Sequence, residues 1–385
     1  MIGGELVSEG GYGCIFRPEI NCSGETVEDS EHISKIQVYD KSAKKEIEVS
    51  KLLKTIKLYD NHFVPVLSHC FINVSEIETT DKKQCSIFTK QENGDFILLK
   101  MRNVDGDNFI NYIVNNKNTR EILNILINSY NHVLKSVKLL LEKRLVHYDL
   151  KGDNIMFDTK KSIPVLIDFG LSINMKKLNR KKLSQYFYVY APEYYIWPLE
   201  VHYLCFLVKQ NKIPNIIELK QMVNAYVNGH VSIAKNFSKA FIDKFKDLCE
   251  KQLLFYQSKS KENCIDHILK YWNTWDNYSL STLYLKIIYY FNISGFVNNK
   301  FIVFLSELLL TNIHPNPKRR LTVQQSIEKF NTFILKSDIN TNLTFEQLNK
   351  QFSEHSDNIK NFMKKDLLKT KMISKRVSDV YYGNI

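Results

Sequence analysis

Two aspartates and an asparagine are spaced so that together they could hold a divalent cation. Asp149 and Asn154 lie in the stretch VHYDLKGDNIMFD (146–158), and Asp168 ends an apolar segment nineteen residues after Asp149. Carboxylate and amide oxygens are the hard ligands that Mg²⁺ prefers. A short polar loop alone is weak evidence, but an apolar segment running into Asp-Phe-Gly makes the combination specific. The sequence therefore predicts a magnesium site, with Mn²⁺ as the alternative ion.

A glycine cluster near the N-terminus could bind phosphates. The stretch SEGGYGCI (8–15) lies between two apolar segments, so it is predicted to form a strand, a tight turn and a second strand. Backbone amides without Cβ atoms beside them can close over an anion. Lys35, in the predicted strand 32–40, can reach that anion, and a glutamate on the following helix can hold the lysine in place.

The elements that position these residues fall into two groups. Residues 1–105 are predicted to be rich in strands with one helix at 43–58, and a β-hairpin is expected from 85–91 and 96–101. A long helix at 119–142 precedes the polar loop, and a short strand opened by Pro164 precedes Asp168. From Tyr194 onward the sequence is mostly helical, with two late helices at 301–310 and 322–330.

Composition favours a folded protein of two or three lobes. The chain has 385 residues, of which 44% are hydrophobic, and this fraction supports a buried core. The formal net charge is +12 and the pI is about 9.1. A basic balance suits acidic partners, but no long block of Lys and Arg alternates with aromatic residues, so nucleic acid is only weakly supported as a partner. No apolar run is long enough to span a bilayer.

The seven cysteines are scattered without Cys-x-x-Cys spacing, which argues against a zinc site. We expect buried free thiols in a reducing compartment. The N-terminus lacks the charged start and apolar run of a signal peptide. A soluble, cytoplasmic protein is the resulting expectation.

These motifs, in this order, resemble those of the eukaryotic-type protein kinases. SEGGYGCI resembles the glycine-rich loop, with Ser8 where the first glycine is usual, and residues 147–154 resemble the catalytic loop. Asp168-Phe169-Gly170 and Ala191-Pro192-Glu193 resemble the two ends of an activation segment. The resemblance covers roughly residues 1–335 and implies an α+β, bilobal fold with a small β-rich N-lobe and a larger α-helical C-lobe. The motifs diverge from the usual kinase pattern, and the opening GGYGCIFRP is similar to that of kinases of large DNA viruses.

The resemblance also assigns roles to individual residues. Asp149 would orient the substrate hydroxyl and Lys151 would neutralise charge on the transferring phosphoryl group, while Lys35 pairs with Glu46, which is preferred over Glu48. Asn154 and Asp168 would hold Mg²⁺. The residues assigned to ATP binding are Ser8, Gly10, Gly11, Tyr12, Gly13, Ile15 and Lys35.

Later motifs extend the resemblance. Asp276, in WDNYSLSTLYL, is expected to brace the catalytic loop, and Ser281 stands where glycine is usual. An alternative alignment gives the bracing role to Glu200 of LEVHYLC (199–205). The late motif NPKRRLT contains Arg320, which is expected to form a buried ion pair with Glu193.

Two departures bear on specificity and regulation. A lysine at position 151, two residues after Asp149, resembles the pattern of serine/threonine kinases. Tyr186 lies where a threonine is usual in these kinases, so dual specificity stays open. Tyr148 replaces the arginine that commonly pairs with an activation-segment phosphate. We therefore expect activity that does not depend on phosphorylation between residues 171 and 190.

The expected organisation is an N-lobe at 1–105, a C-lobe at 106–335 with a helical insertion at about 195–270, and a basic tail at 336–385. The implied activity is transfer of the ATP γ-phosphate to Ser or Thr of a protein substrate, without a membrane partner. Two alternatives remain: a pseudokinase scaffold that binds partners without catalysis, and a small-molecule phosphotransferase. Lys35, Asp149 and Asp168 argue against the scaffold, and Lys151 and Arg320 argue against the small-molecule enzyme. The oligomeric state and the physiological substrate do not follow from the sequence.

Overall fold

The chain divides into two units in a computed structural model. The first comprises residues 1–107 and 155–172, and the second comprises 108–154 and 173–385. The structure describes the following residues: 5–10, 13–27, 31–73, 85–90, 95–116, 119–293, 300–336, 350, 354–355, 357–365, 368 and 372. Strand pairing dominates the start of the chain and helices dominate the rest, which is compatible with the predicted α+β class.

The first unit is built on a five-stranded sheet in the order β1-β2-β3-β5-β4, whose described pairs are antiparallel. Two further strands, β8 and β9, pair antiparallel with each other. The strands of this unit are β1 (Glu5–Gly10), β2 (Gly13–Arg17), β3 (His32–Val38), β4 (Ser68–Ile72), β5 (Phe96–Arg102), β6 (Gly106–Asn108, ending at the unit boundary), β8 (Ile155–Asp158) and β9 (Ile163–Leu166). Its helices are α1 (Lys41–Leu53) and α2 (Ser86–Lys90).

Helix α1 packs on the sheet because its apolar face repeats with helical spacing. Ala43 and Ile47 are buried in one cluster with Leu99 of β5 and Val165 of β9. The side chain of Asp40 accepts a hydrogen bond from the Ala43 amide and so caps the helix. This packing fixes the helix face from which Glu46 projects.

The second unit is mainly helical. Its elements are α3 (Phe109–Asn115), α4 (Thr119–Glu142), β7 (Leu145–Val146), β10 (Ile173–Asn174), α5 (Leu199–Gln210), α6 (Ile216–Gly229), α7 (Val231–Ala234), α8 (Lys239–Gln257), α9 (Lys261–Leu269), α10 (Trp275–Ile293), α11 (Lys300–Asn312) and α12 (Val323–Lys336). Helices α5 to α9 make residues 199–269 predominantly helical, as predicted. None of the helices in the described ranges is long and apolar enough to cross a membrane.

Helix α10 passes through the core of this unit and is linked to α11 and α12 by buried polar side chains. Asn312 donates to Ser281 at 3.1 Å, and Ser326 donates to Asn312 at 3.1 Å. Asn277 donates to Ser326 at 3.1 Å. Ser281, which stands where the resemblance implies glycine, is therefore part of a hydrogen-bonded network that fixes three helices relative to one another.

Two expectations from the sequence are wrong in the first unit. Residues Ser86–Lys90 form a short helix rather than the first strand of a hairpin; Asn93 and Gly94, the expected turn, lie outside the described residues. Four of the seven cysteines are not free thiols, because Cys14 is bonded to Cys85 and Cys22 to Cys70. Cys205, Cys249 and Cys264 are free and buried, as expected.

Candidate functional site

In the first unit, Lys35 lies between two carboxylates. Its Nζ is 2.8 Å from Glu46 Oε2 and 3.5 Å from Asp168 Oδ1. Lys35 and Glu46 are both buried. Burial alone would lower the pKa of Lys35, but the carboxylates of Asp168 and Glu46 outweigh it and raise this pKa above its usual value. The lysine is therefore held as a cation at neutral pH.

The local fold explains how these three side chains meet. Lys35 lies in β3, opposite Leu99 of β5, and Glu46 is on the buried face of α1, whereas Glu48 is exposed. Asp168 follows β9 and has a left-handed backbone with φ of 60°. A Cβ atom on Gly170 would collide with Ser42 Oγ of α1, so a larger residue there would require the Ser42 side chain to move.

The glycine cluster is described in part. Gly10 and Gly13 are opposite each other at the ends of β1 and β2, and Ser8 pairs with Ile15. A Cβ atom on Gly13 would lie 2.5 Å from the carbonyl oxygen of Ile36, so the approach of β2 to β3 requires glycine there. Gly11 and Tyr12 lie outside the described residues, and phosphate binding by this turn stays a prediction.

In the second unit, the carboxylate of Asp149 accepts three hydrogen bonds. Its Oδ2 accepts from Lys151 Nζ at 2.7 Å and from Asn154 Nδ2 at 2.9 Å. Its Oδ1 accepts from the hydroxyl of Tyr194 at 2.8 Å. All four residues are buried. The sequence predicted that Asp149, Lys151 and Asn154 meet, whereas Tyr194 was not foreseen.

Asp276 holds the backbone of this loop. Its two carboxylate oxygens accept from the amides of His147 at 2.7 Å and Tyr148 at 3.0 Å. Burial raises the pKa of Asp276, and these bonds to the carboxylate partly offset that effect. Tyr148 has a left-handed backbone with φ of 69°, a conformation that costs energy for a non-glycine residue and is stabilised here by the surrounding bonds. Asp276, rather than Glu200, is thus the acid that contacts the loop, as preferred from the sequence.

Aromatic rings surround Tyr148. Its ring stacks on Trp197 with a centroid distance of 4.7 Å and contacts Phe187 at 5.9 Å and Trp275 at 6.2 Å. Trp197 Nε1 also donates to the Tyr148 carbonyl oxygen at 2.6 Å. Tyr148 is only 2% exposed. The segment that contains Phe187, Tyr194 and Trp197 is therefore joined to the loop by apolar contacts and by the hydrogen bonds that Tyr194 and Trp197 donate.

The expected ion pair between Arg320 and Glu193 is not the one found. Arg320 instead forms a two-pronged pair with Glu200, Nη1 to Oε1 at 2.5 Å and Nη2 to Oε2 at 2.8 Å. Both side chains are almost completely buried. Arg320 Nη1 also donates to Thr274 at 3.2 Å. The predicted partner was the glutamate of the first Pro-Glu, whereas the observed partner lies seven residues later in Trp197-Pro198-Leu199-Glu200.

The residues missed by the sequence argument share one short stretch. Tyr194 and Trp197 lie between the first Pro-Glu and helix α5, and Glu200 is in the first turn of that helix. The hydroxyl that reaches Asp149 is that of Tyr194, not of Tyr186. One signal was available: in WPLE a proline precedes an apolar helix that has a glutamate in its first turn.

The structure thus brings the expected residues together in two groups. Lys35, Glu46 and Asp168 meet in the first unit, and Asp149, Lys151 and Asn154 meet in the second. The expected cation ligands Asp168 and Asn154 belong to different units. Within the described ranges, no cluster of three His, Cys, Asp or Glu side chains could bind a metal ion by itself.

Comparison with known proteins gives one short match. Over 44 residues the chain is 48% identical to mitogen-activated protein kinase kinase kinase 8 from Rattus norvegicus. The match covers 11% of this chain and 9% of the relative. No family model matches the chain. The similarity is a partial relation to a kinase.

Proposed function

We propose that this protein is an ATP-dependent protein kinase that transfers the γ-phosphate of ATP to serine and threonine hydroxyls of protein substrates. The observation that carries the proposal is the carboxylate of Asp149, which is buried and oriented by three donors in a loop braced by Asp276. The short match to a kinase supports the same reaction class. Lys151, two residues after Asp149, favours serine and threonine acceptors.

In the proposed step, Asp149 orients the substrate hydroxyl and accepts its proton. The hydroxyl oxygen forms a bond to the γ-phosphorus, and the bond from that phosphorus to the β–γ bridging oxygen breaks to release ADP. Lys151, whose ammonium is 2.7 Å from Asp149, neutralises charge on the phosphoryl group during transfer. The residues thus act by position and charge rather than by covalent catalysis.

Lys35 is proposed to hold the phosphates of ATP from the first unit. Its ammonium is kept charged by Glu46 and Asp168, which also restrict its rotamers. The turn between β1 and β2 would cover the same phosphates with backbone amides. In this proposal Glu46 acts by positioning Lys35 and does not touch the nucleotide.

Asn154 and Asp168 are the residues proposed to hold Mg²⁺. The amide nitrogen of Asn154 donates to Asp149, both to its carboxylate and to its carbonyl oxygen at 2.8 Å, so the amide oxygen is the end turned away from these bonds. With the carboxylate of Asp168 it supplies the hard-oxygen donors that suit this ion. Bound Mg²⁺ would neutralise charge on the phosphates.

The test uses the 385-residue protein with ATP labelled at the γ-phosphate, with and without MgCl₂. Acceptors are one acidic and one basic generic protein and, separately, choline and an aminoglycoside. We expect Mg²⁺-dependent label on serine and threonine of protein. Asp149→Asn should lower transfer at least about 100-fold, because the proton acceptor is lost, while calorimetry shows ATP binding within about threefold of wild type.

Asp153→Asn is the matched control, since Asp153 lies in the same loop but has no role in the proposed step. Its transfer rate should stay within about threefold of wild type. Full turnover in Asp149→Asn would refute the assignment of the base. Label on the small alcohols alone would favour the small-molecule phosphotransferase, and ATP binding without any transfer would favour the pseudokinase scaffold.

A further inference from the structure

The C-terminal region contains a helical segment, 357–365, that is attached to the second unit by one face. Ile359 and Met363 are each only 2% exposed, and their spacing of four residues places them on the same side of the helix. Lys360 donates from Nζ to the carbonyl oxygen of Asn116 at 3.0 Å. Phe362 and Lys364, beside Met363 in sequence, are exposed. We name this segment the tail helix.

Met363 of the tail helix lines a cavity, and part of the wall of this cavity is the proposed catalytic loop. Lys151, Gly152 and Asp153 form this part of the wall, and they lie between the proposed base, Asp149, and Asn154. The remaining lining residues, from α3, the segment before α5, and α10, are Ile110, Tyr195, Ile196, Leu283, Lys286 and Ile287. The flexible, unbranched side chain of methionine suits such an irregular, largely apolar space.

A protein substrate would need the surface beside this cavity. Its hydroxyl must reach Asp149 and Lys151, so the polypeptide on either side of the hydroxyl has to pass close to the segment 151–153. The tail helix occupies a position next to that segment through Met363. Lys35 and the turn between β1 and β2, which are proposed to hold the ATP phosphates before transfer, do not line this cavity.

We propose that the tail helix is an intramolecular competitor of the protein substrate, docked through Met363 beside the catalytic loop and released when substrate binds. The inference rests on the proposed kinase function. Among the described residues of the tail helix, two buried apolar side chains and one hydrogen bond to a backbone carbonyl hold it, which is a small interface suited to reversible docking. Release therefore affects binding of the protein substrate and not the phosphoryl-transfer step.

The experiment compares Met363→Lys with Phe362→Lys in the 385-residue protein. The two positions are adjacent and receive the same side chain, but a lysine at 363 would enter a cavity that already contains Lys151 and Lys286, whereas a lysine at 362 stays exposed. Steady-state kinetics are measured with the better of an acidic and a basic generic acceptor protein. Ile359→Ala is a second way to weaken docking without adding charge.

For Met363→Lys we expect the KM for the acceptor protein to fall at least fivefold, with kcat and the KM for ATP within twofold of wild type. Ile359→Ala should shift the same KM in the same direction, and Phe362→Lys should behave as wild type. Limited trypsin digestion should cleave the tail helix at Lys360, Lys364 or Lys365 faster in Met363→Lys than in Phe362→Lys.

Three results would overturn the inference. An unchanged or increased KM for the acceptor protein in Met363→Lys and Ile359→Ala would show that the tail helix does not compete. Equal cleavage rates in the two lysine variants would show that Met363 does not dock it. Failure of wild type to phosphorylate either acceptor would refute the proposed function itself, whereas normal wild-type transfer with an unchanged KM would refute only the competition.

Discussion

Asp149 is held by side chains from two separate stretches of sequence. Lys151 and Asn154 come from its own loop, but Tyr194 comes from a segment 45 residues later. The carbonyl oxygen of Tyr194 is in turn 3.0 Å from His202 Nε2. The ring of Tyr194 packs edge-on against Trp197, with the ring centroids 5.2 Å apart. Because Tyr194 is itself fixed, its hydroxyl restricts the carboxylate of Asp149 to one orientation.

Removing this hydroxyl should slow the reaction without affecting the nucleotide. We expect Tyr194→Phe to lower kcat about 10-fold, since one charge-assisted hydrogen bond to the base is lost, corresponding to about 1.4 kcal/mol. The KM for ATP should be unchanged. Steady-state kinetics of Tyr194→Phe beside Tyr190→Phe, a half-buried tyrosine of the same segment, test this. Equal effects of the two substitutions would contradict a positioning role for Tyr194.

Sequence reasoning reached the residues whose partners are close along the chain or belong to well-known motifs. Asp149, Lys151 and Asn154 lie within six positions, and Glu46 was assigned through the resemblance to protein kinases. Tyr194 could not be chosen over Tyr186 or its other neighbours, because the path of residues 171–198 depends on packing around Tyr148. Arg320 was predicted to form a buried ion pair, but the predicted partner, Glu193, lies seven residues before the observed partner, Glu200.

At the scale of elements, aromatic rings join the segment after Asp168 to the loop 147–154. Phe187 lies 6.0 Å from Trp275, with the rings nearly perpendicular, and both contact Tyr148. Such ring pairs stabilise the folded state, because they bury apolar surface and because the edge of one ring meets the face of the other. An arginine at position 148 would instead need an anion to pair with.

Activity is therefore expected not to depend on phosphorylation between residues 171 and 190. Phosphatase treatment of the purified protein should leave kcat within twofold, and Ser184→Ala, at an exposed site in this segment, should do the same. Intact mass before and after treatment establishes whether phosphate was present and removed. Loss of activity that returns on rephosphorylation of this segment would contradict the expectation.

The ion pair between Arg320 and Glu200 joins the residue after the short helical turn 317–319 to the start of α5. Glu200→Gln should reduce the free energy of unfolding by about 3–5 kcal/mol, because it leaves the buried guanidinium without its counter-charge. Glu193→Gln is the matched control and should cost less than half as much, since Glu193 is half-buried. Urea denaturation measures both. A larger loss of unfolding free energy in Glu193→Gln than in Glu200→Gln would support the pairing of Arg320 with Glu193 instead.

At the scale of the whole molecule, the sequence predicted the order of strands and helices better than the long-range links. Regular apolar spacing marked β3, α1 and α4. The stretch 85–91 was misassigned because alternation over seven residues is weak, and the helix there follows Cys85, which is bonded to Cys14, 71 residues away. Neither disulfide could be paired from spacing, since each joins segments that meet only in the folded first unit.

Two buried histidines of the second unit should make stability depend on pH. Burial lowers the pKa of His202 to about 4 and that of His230 to about 3. In the unfolded chain both titrate near their ordinary value of about 6.5. Between pH 6.5 and 4 the unfolded state therefore binds more protons than the folded state, so stability falls as pH decreases.

From pH 6.5 to 5.0 these two histidines together should reduce the free energy of unfolding by about 3 kcal/mol, on top of the contributions of other groups. Urea denaturation at the two pH values measures the change. His230→Gln removes one of the two groups and should shrink the pH-dependent loss by about 1.5 kcal/mol relative to wild type. His69→Gln, at an exposed position in β4, should leave it unchanged. An identical loss in wild type and both variants would mean that His230 is not kept neutral by burial.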